Sequence, residues 1–202
     1  MTLFDDANEQ RLVERLRQRD ERAFNELVRA YEARVFGLVL RMLGRRDEAE
    51  DVAQEVFVQV FKAIDQFRGD SKLSTWVFRI TVNLCKNRTK YLSRRHDGAH
   101  GELDAMEAHA PLDLAKGSSV AHVARPDEEL SGRQIEAIVQ RAIAGLEPDF
   151  REVLLLRDVE DLSYEQIAEI TGLPDGTVKS RIHRARAQLR DAVERATGEK
   201  IA

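Results

Sequence analysis

The chain has 202 residues, 43% of them apolar and 34% charged, with a formal net charge of −4. That length suits one or two domains at ~150 residues each, and 11 glycines with 4 prolines leave too little punctuation for an all-β sandwich. A single cysteine, Cys85, excludes an internal disulfide framework and a multi-cysteine zinc site.

The opening segment carries Asp5, Asp6 and Glu9 and lacks an apolar core, so it does not read as a signal peptide. Apolar residues at Ala23, Phe24, Leu27, Val28, Tyr31, Val35, Leu38, Val39 and Met42 keep helical spacing over 20–43, with Gly44 as the stop. A second amphipathic helix comes next, marked by Ala49, Val52, Ala53, Val56, Phe57, Val60 and Ile64. Its acids crowd the first turns, where the helix dipole favours negative charge. Residues 67–71 read as a loop, with Ser74 the expected cap of the next element. Thr75, Val77, Ile80, Thr81 and Val82 are β-branched and favour a strand. The run continues to Leu92 without a turn signal, too long for a strand, so a helix over 74–93 is predicted.

Periodicity is lost over 96–128, which contains Pro111, Gly117-Ser118-Ser119 and Pro126 and reads as a flexible linker. Helices resume with Ile135, Ile138, Val139, Ala142 and Ile143, stop near Gly145 and restart at Pro148. The fold class is therefore all-α, with two small helical domains at 1–95 and 129–202 joined by that linker. No stretch approaches the ~18 apolar residues that cross a membrane, so a soluble, cytoplasmic protein with no membrane contact of its own is expected.

The clearest signal lies near the C-terminus. Ser163-Tyr164-Glu165-Gln166 fits a capping box, and Gly172-Leu173-Pro174 breaks the short helix it opens. A second helix runs from about 175 past Leu189 with Val178, Ile182, Ala185 and Leu189 on one stripe. Two helices on a tight turn, the second basic, describe a helix-turn-helix with its recognition helix last. At about 100° per residue, Ser180, His183 and Arg184 point away from the stripe and Lys179 flanks it. Those four are the candidates for base edges in a major groove, while Thr177, Arg181 and Arg186 are expected on phosphates.

Charge is segregated along the chain. Lys86, Arg88, Lys90, Arg94 and Arg95 form one basic run, and Lys179, Arg181, Arg184, Arg186 and Arg190 a second. Asp47, Glu48, Glu50, Asp51 and Glu55 form an acidic block, and eight acids between 97 and 129 face only Lys116 and Arg125. Two basic faces, one acidic face and an acidic tether can each have their own partner.

At these residues a resemblance to a known family enters. Leu162-Ser163-Tyr164-Glu165-Gln166-Ile167-Ala168 and Gly176-Thr177-Val178-Lys179-Ser180-Arg181-Ile182-His183-Arg184-Ala185-Arg186 resemble the C-terminal domain of extracytoplasmic-function (ECF) sigma factors, of the bacterial sigma-70 family. Asp51-Val52-Ala53-Gln54-Glu55-Val56-Phe57 resembles that family's polymerase-binding helix. Phe67-Arg68-Gly69-Asp70-Ser71, Ser74-Thr75-Trp76-Val77-Phe78-Arg79-Ile80 and Asn83-Leu84-Cys85-Lys86-Asn87 resemble its promoter-melting segment.

The resemblance implies promoter DNA and bacterial core RNA polymerase as partners, the latter through the largest subunit's clamp coiled coil and the flap. Asp51, Gln54 and Glu55 would then contact polymerase. Phe67, Asn83, Lys86, Asn87, Arg88 and Lys90 would meet the minus-ten element, with Phe67 and the 68–73 loop walling a pocket for an unstacked base and Asn83 reading its edge. The C-terminal helix-turn-helix would read the minus-thirty-five element, and the acidic linker would mimic nucleic acid inside the polymerase. An anti-sigma factor is the implied regulator.

No cofactor is expected, and no Walker loop, H-E-x-x-H or Gly-rich fingerprint points to an enzyme. His96, His100, His109 and His122 fall in the linker without ligand-like partners, which disfavours a metal site. Cys85, inside a basic helix, reads as a buried, inert thiol. The alternative function is a homodimeric helix-turn-helix repressor or response regulator, which would need a ligand or phospho-acceptor domain.

Overall fold

The computed structural model describes residues 6–98 and 126–200, and every regular element among them is a helix. Helix α1 (Asp6–Arg17) precedes α2 (Glu21–Leu43), α3 (Arg46–Ala63) and α4 (Leu73–Gly98). The second group is α5 (Pro126–Ala144), α6 (Pro148–Leu154), a π turn (Leu155–Val159), α7 (Tyr164–Thr171) and α8 (Asp175–Thr197).

Local chemistry sets the boundaries. Asp20 caps α2 by accepting from the N–H groups of Arg22 at 2.8 Å and Ala23 at 3.3 Å. Gly44 ends the same helix at φ 75°, a left-handed conformation that side-chain-bearing residues adopt only with strain. Ser74 is not the cap of α4, because the helix begins a residue earlier. The N–H of Leu73 donates to Glu9 Oε1 at 2.7 Å, so a carboxylate from α1 serves its first turn. The expected restart near residue 135 also moves: α5 begins at Pro126, which suits a first helical position. The four linker histidines and the acids over 97–125 lie outside the described residues, or have side chains that are not described.

Helix α1 was not foreseen; it buries Leu12, Val13 and Leu16 against α2–α4. The first core gathers these with Leu27, Tyr31, Val56, Trp76, Val77 and Cys85. A second core is built around Leu155, Leu156, Ile167, Val178 and Ile182, but Leu38 of α2 and Phe78 and Val82 of α4 complete it. Helix α4 therefore faces two cores. This resolves the conflict between its β-branched composition and its helical state: Thr75, Val77, Phe78, Thr81 and Val82 are all fully buried. Their burial, worth about 1.5–3 kcal/mol per large apolar side chain, outweighs propensity penalties of at most ~0.7 kcal/mol each. The Thr81 hydroxyl donates back to Val77 O at 2.9 Å, so burying it leaves no unsatisfied donor.

Candidate nucleic-acid interface

The helix-turn-helix forms from locally specified parts. Ser163 Oγ accepts from Gln166 N at 3.3 Å, and Gln166 Oε1 accepts from Ser163 N at 2.9 Å, completing the capping box. Gly172 then ends α7 at φ 72°. In α8, Val178, Ile182 and Ala185 are buried, which fixes the helix rotation. Lys179, Ser180, His183 and Arg184 consequently face solvent, as the wheel predicted. Lys179 Nζ stands 5.6 Å from the centre of the Tyr164 ring, a cation–π contact that steadies its stem.

The three residues expected on phosphates are less free. Thr177 is half-buried. Arg181 pairs with Asp149 at 2.9 Å, and Arg186 makes a two-pronged contact with Asp158, its Nε lying 3.0 Å from Oδ2. Hydrogen bonding to Asp158 holds the Arg186 guanidinium above its ordinary pKa.

The N-terminal site centres on the loop before α4. A 220 Å³ pocket is lined by residues 66–71 together with Trp76, Arg79 and Glu169. It is smaller than the ~300–1,000 Å³ typical of drug-sized ligands. Phe67 is only 5% exposed, and its ring lies 5.4 Å from that of Trp76 at 50°. Arg17 Nη2 donates to Phe67 O at 2.6 Å, tying the loop to α1. Phe67 and residues 68–71 line this pocket, while Lys72 and Leu73 of the expected 68–73 loop do not.

Asn83 does not line it. Asn83 sits one turn beyond Arg79 on the same face of α4, exposed, with Asn87 and Lys90 continuing the stripe. Lys86 and Arg88 leave that stripe. Lys86 turns to Glu152 of α6, Nζ to Oε1 at 2.8 Å, an ion contact off the angles of a hydrogen bond. Arg88 turns the opposite way, meeting Glu48 of α3 at 2.8 Å and Glu55 at 3.8 Å. Sequence reasoning also missed Arg79 as a pocket residue, although it lies within the 74–80 stretch that resembles the promoter-melting segment.

The three residues expected to contact polymerase sit on α3. Asp51, Gln54 and Glu55 all lie on its exposed face. Val58, 50% exposed, and Phe61, 41% exposed, extend that face. Neither was anticipated; both fall off the core stripe of α3, which was the available signal. Phe61 is braced edge-on by Phe24 at 5.3 Å and covered by Arg19 at 4.9 Å from its centroid.

Polar contacts bridge the two helix groups. Besides Lys86–Glu152, Arg34 Nε binds Glu160 Oε2 at 2.8 Å and its Nη2 donates to Glu160 O at 3.0 Å. Arg79 meets Glu169 at 3.3 Å, at the rim of the pocket. Gln166 Nε2 donates to Thr75 Oγ1 at 3.0 Å, and Arg151 Nη1 donates to Met42 O at 3.0 Å. Burial pushes the Glu152 and Glu160 carboxyls above the usual range, with Lys86 and Arg34 pulling each partly back.

Cys85 is fully buried, and burial with the nearby Glu152 charge pushes its thiol up to about 12. Among the described residues no three or more His, Cys, Asp or Glu side chains converge as a metal site, and no helix is long and apolar enough to cross a membrane.

Comparison with known proteins gives two family matches in chain order. Residues 27–95 match sigma-70 region 2, and residues 136–189 match sigma-70 region 4. The chain is 38% identical to the RNA polymerase sigma-H factor of Pseudomonas aeruginosa over 92% of its length and 94% of that protein. It is 39% identical to the ECF RNA polymerase sigma-E factor of Escherichia coli, with the same two coverages of 92% and 94%. Among solved structures, CnrH in complex with the cytosolic domain of CnrY superposes with a TM-score of 0.64 at 22% identity, over 92% of this chain and 97% of that one. The sigma factor RpoE of Bartonella quintana, in complex with the anti-sigma factor NepR, gives 0.65 at 23% identity, over 85% and 96%.

Proposed function

The chain belongs to the ECF sigma factors of the sigma-70 family, and from that membership we propose how its residues divide the work of starting transcription. It is a non-enzymatic subunit that directs RNA polymerase to promoters. In this division the domains are 1–95 and 129–202, and the base-edge readers of the minus-thirty-five element are Lys179, Ser180, His183 and Arg184. Thr177, Arg181 and Arg186 hold phosphates there, the two arginines exchanging their carboxylate partners for DNA.

At the minus-ten element, Phe67 and its loop receive an unstacked base, and Asn83, Asn87 and Lys90 track the strand beside it. Arg79 joins them from the pocket rim. Lys86 reaches DNA only after leaving Glu152, and Arg88 supports α4 by holding it to α3. Asp51, Gln54 and Glu55, with Val58 and Phe61, form a mixed acidic and apolar face suited to the clamp coiled coil of the polymerase largest subunit. The C-terminal domain meets the flap, and the whole acts in the cytoplasm, where polymerase is. An anti-sigma factor is the natural regulator, as RpoE has in NepR.

The observation that carries this reading is the exposed quartet on the outward face of α8, set by a buried stripe and a completed capping box. The test is transcription in vitro with bacterial core polymerase on pooled genomic promoter fragments. Discrete transcripts that require the protein support it. Their absence, with salt-sensitive binding of the free protein to palindromic duplexes, would return the assignment to a dimeric repressor.

A further inference from the structure

Helix α1 grips the pocket loop at both of its feet. Arg17 Nη2 donates to Phe67 O at 2.6 Å, where the loop begins, and Glu9 Oε1 accepts from Leu73 N at 2.7 Å, where α4 begins. The two side chains stand eight residues apart, about 12 Å along a helix axis. Arg19, just past α1, adds a third hold: its Nη2 meets Asp65 Oδ2 at 2.6 Å and its Nη1 donates to Phe61 O. Arg19 does so from φ 61°, a left-handed conformation that residues with long side chains rarely adopt.

We propose that α1 is a splint for the minus-ten pocket, with Glu9 and Arg17 as positioning residues that hold its two walls at a fixed gap before DNA arrives. The proposal rests on the base-capture reading of Phe67 and its loop above, and adds what sets the shape of that pocket. Two observations carry it.

The first is where the bonds end. One wall of the pocket is the loop with Phe67, and the other is the start of α4 with Trp76 and Arg79. Arg17 holds the first wall and Glu9 the second, so both are referred to a single helix. That helix is seated by Leu12, Val13 and Leu16 in the first core, through apolar contacts that neither polar bond supplies.

The second is what lies between the feet. Arg68, Gly69 and Asp70 are exposed, and Gly69 stands at φ 80°. A segment with so little burial must be ordered during capture, at an entropic cost, unless its ends are fixed beforehand. The contacts that offset unstacking of the base would then have to offset loop ordering as well. Fixing the feet in advance removes that second demand.

The experiment uses the full chain assembled with bacterial core polymerase on a promoter recovered in the transcription assay. A fluorescent base analogue replaces each minus-ten base in turn, and emission that rises on unstacking reads capture. Arg17→Ala and Glu9→Ala are each expected to weaken capture by about tenfold, the scale of one charge-assisted hydrogen bond. One removes a positive charge and the other a negative one, so general attraction to DNA cannot produce both losses. Arg17→Lys keeps a cationic donor and Glu9→Gln keeps the acceptor, and both are expected to retain most of the capture. Val39→Ala is the control, a fully buried residue of α2 in the same core. It should lower the melting temperature and leave capture by the folded protein unchanged.

Capture that falls in step with melting across all variants, Val39→Ala included, overturns the splint, as does native-like capture by the alanine variants. Arg17 has a side chain 39% exposed, so Arg17→Ala decides alone if Glu9→Ala does not fold. The two layers separate in the native complex. If no minus-ten base changes its emission there, the base-capture reading beneath is overturned; if one does and the alanine variants match it, only the splint is.

Discussion

Gln166 serves two structures at once, its Oε1 accepting from Ser163 N at 2.9 Å to close the capping box while its Nε2 donates to Thr75 Oγ1 at 3.0 Å across the groups. Thr75 is fully buried, so the bond satisfies a hydroxyl that has left water. A residue chosen for a helix start thereby also holds the helix-turn-helix against α4.

That double role can be divided by substitution. Gln166→Glu keeps the acceptor for Ser163 and loses the donor to Thr75, whereas Gln166→Ala loses both. Thermal unfolding should rank the native residue above Glu and Glu above Ala, with Ala costing about 1–2 kcal/mol. Equal melting of the two variants would show that only one of the bonds matters.

On α8, Arg184→Ala is expected to relax preference at one base pair by about 1–3 kcal/mol. Arg186→Ala should weaken binding evenly across sequences and reduce the salt slope by about 1. Titrations of a promoter duplex and its single-base variants at several salt concentrations separate the two behaviours.

At the minus-ten site, stability and function should part company. Phe67 is buried against Trp76, so Phe67→Ala should cost about 3 kcal/mol, the low end for such truncations because the pocket already leaves one side open. Asn83 is exposed, so Asn83→Ala should stay within ~0.5 kcal/mol of the native protein. Both should lose transcription from linear templates. A pre-melted bubble should restore more of it to Asn83→Ala if the loss lies in strand opening.

Glu152 and Glu160 make stability pH-dependent in an unusual direction. Burial raises both carboxyls above the ordinary value of 4.5, despite Lys86, Arg181, Arg34 and Arg41 pulling down and Asp149 pushing Glu152 further up. The folded state then binds more protons than the unfolded one between 4.5 and the raised value, so this contribution is complete below that window and lost as pH rises through it. Denaturant unfolding of Glu152→Gln and Glu160→Gln from pH 4.5 upward should show a smaller decline with pH than the native protein shows. An unchanged slope would place the proton uptake elsewhere.

The thiol offers a simple check on packing. With its pKa pushed up to about 12, Cys85 should ignore a disulfide reagent at neutral pH and react once per chain on unfolding. Reaction in the native state would mean that α4 is loosely held.

The residues most legible in the sequence are those whose partners lie within a turn or two. Ser163, Gln166 and Gly172 specify α7 locally, and the 178–182–185 stripe fixes which side of α8 faces out. Helix α4 was legible despite its β-branched run because length decided against a strand. Long-range partners were not legible. Periodicity marks Leu38, Phe78 and Val82 as buried but cannot say which core they enter. Lys86 and Arg88 read alike in a basic run, yet about 160° apart on the wheel, each turned to an acid on a different helix. Helix α1 escaped notice because its short apolar stripe has meaning only beside the helices it covers, and Glu9 acquires its role only 64 residues later at Leu73.

The placement of Phe78 and Val82 in the second core also bears on how the chain is made. Ribosomes release the N-terminal helices first, and Ile167 comes after Phe78 by about 90 residues, some 4–18 s at ~5–20 residues per second. For those seconds the nascent chain holds a folded α2–α4 scaffold with an uncovered apolar patch, waiting for the helices that will fill it.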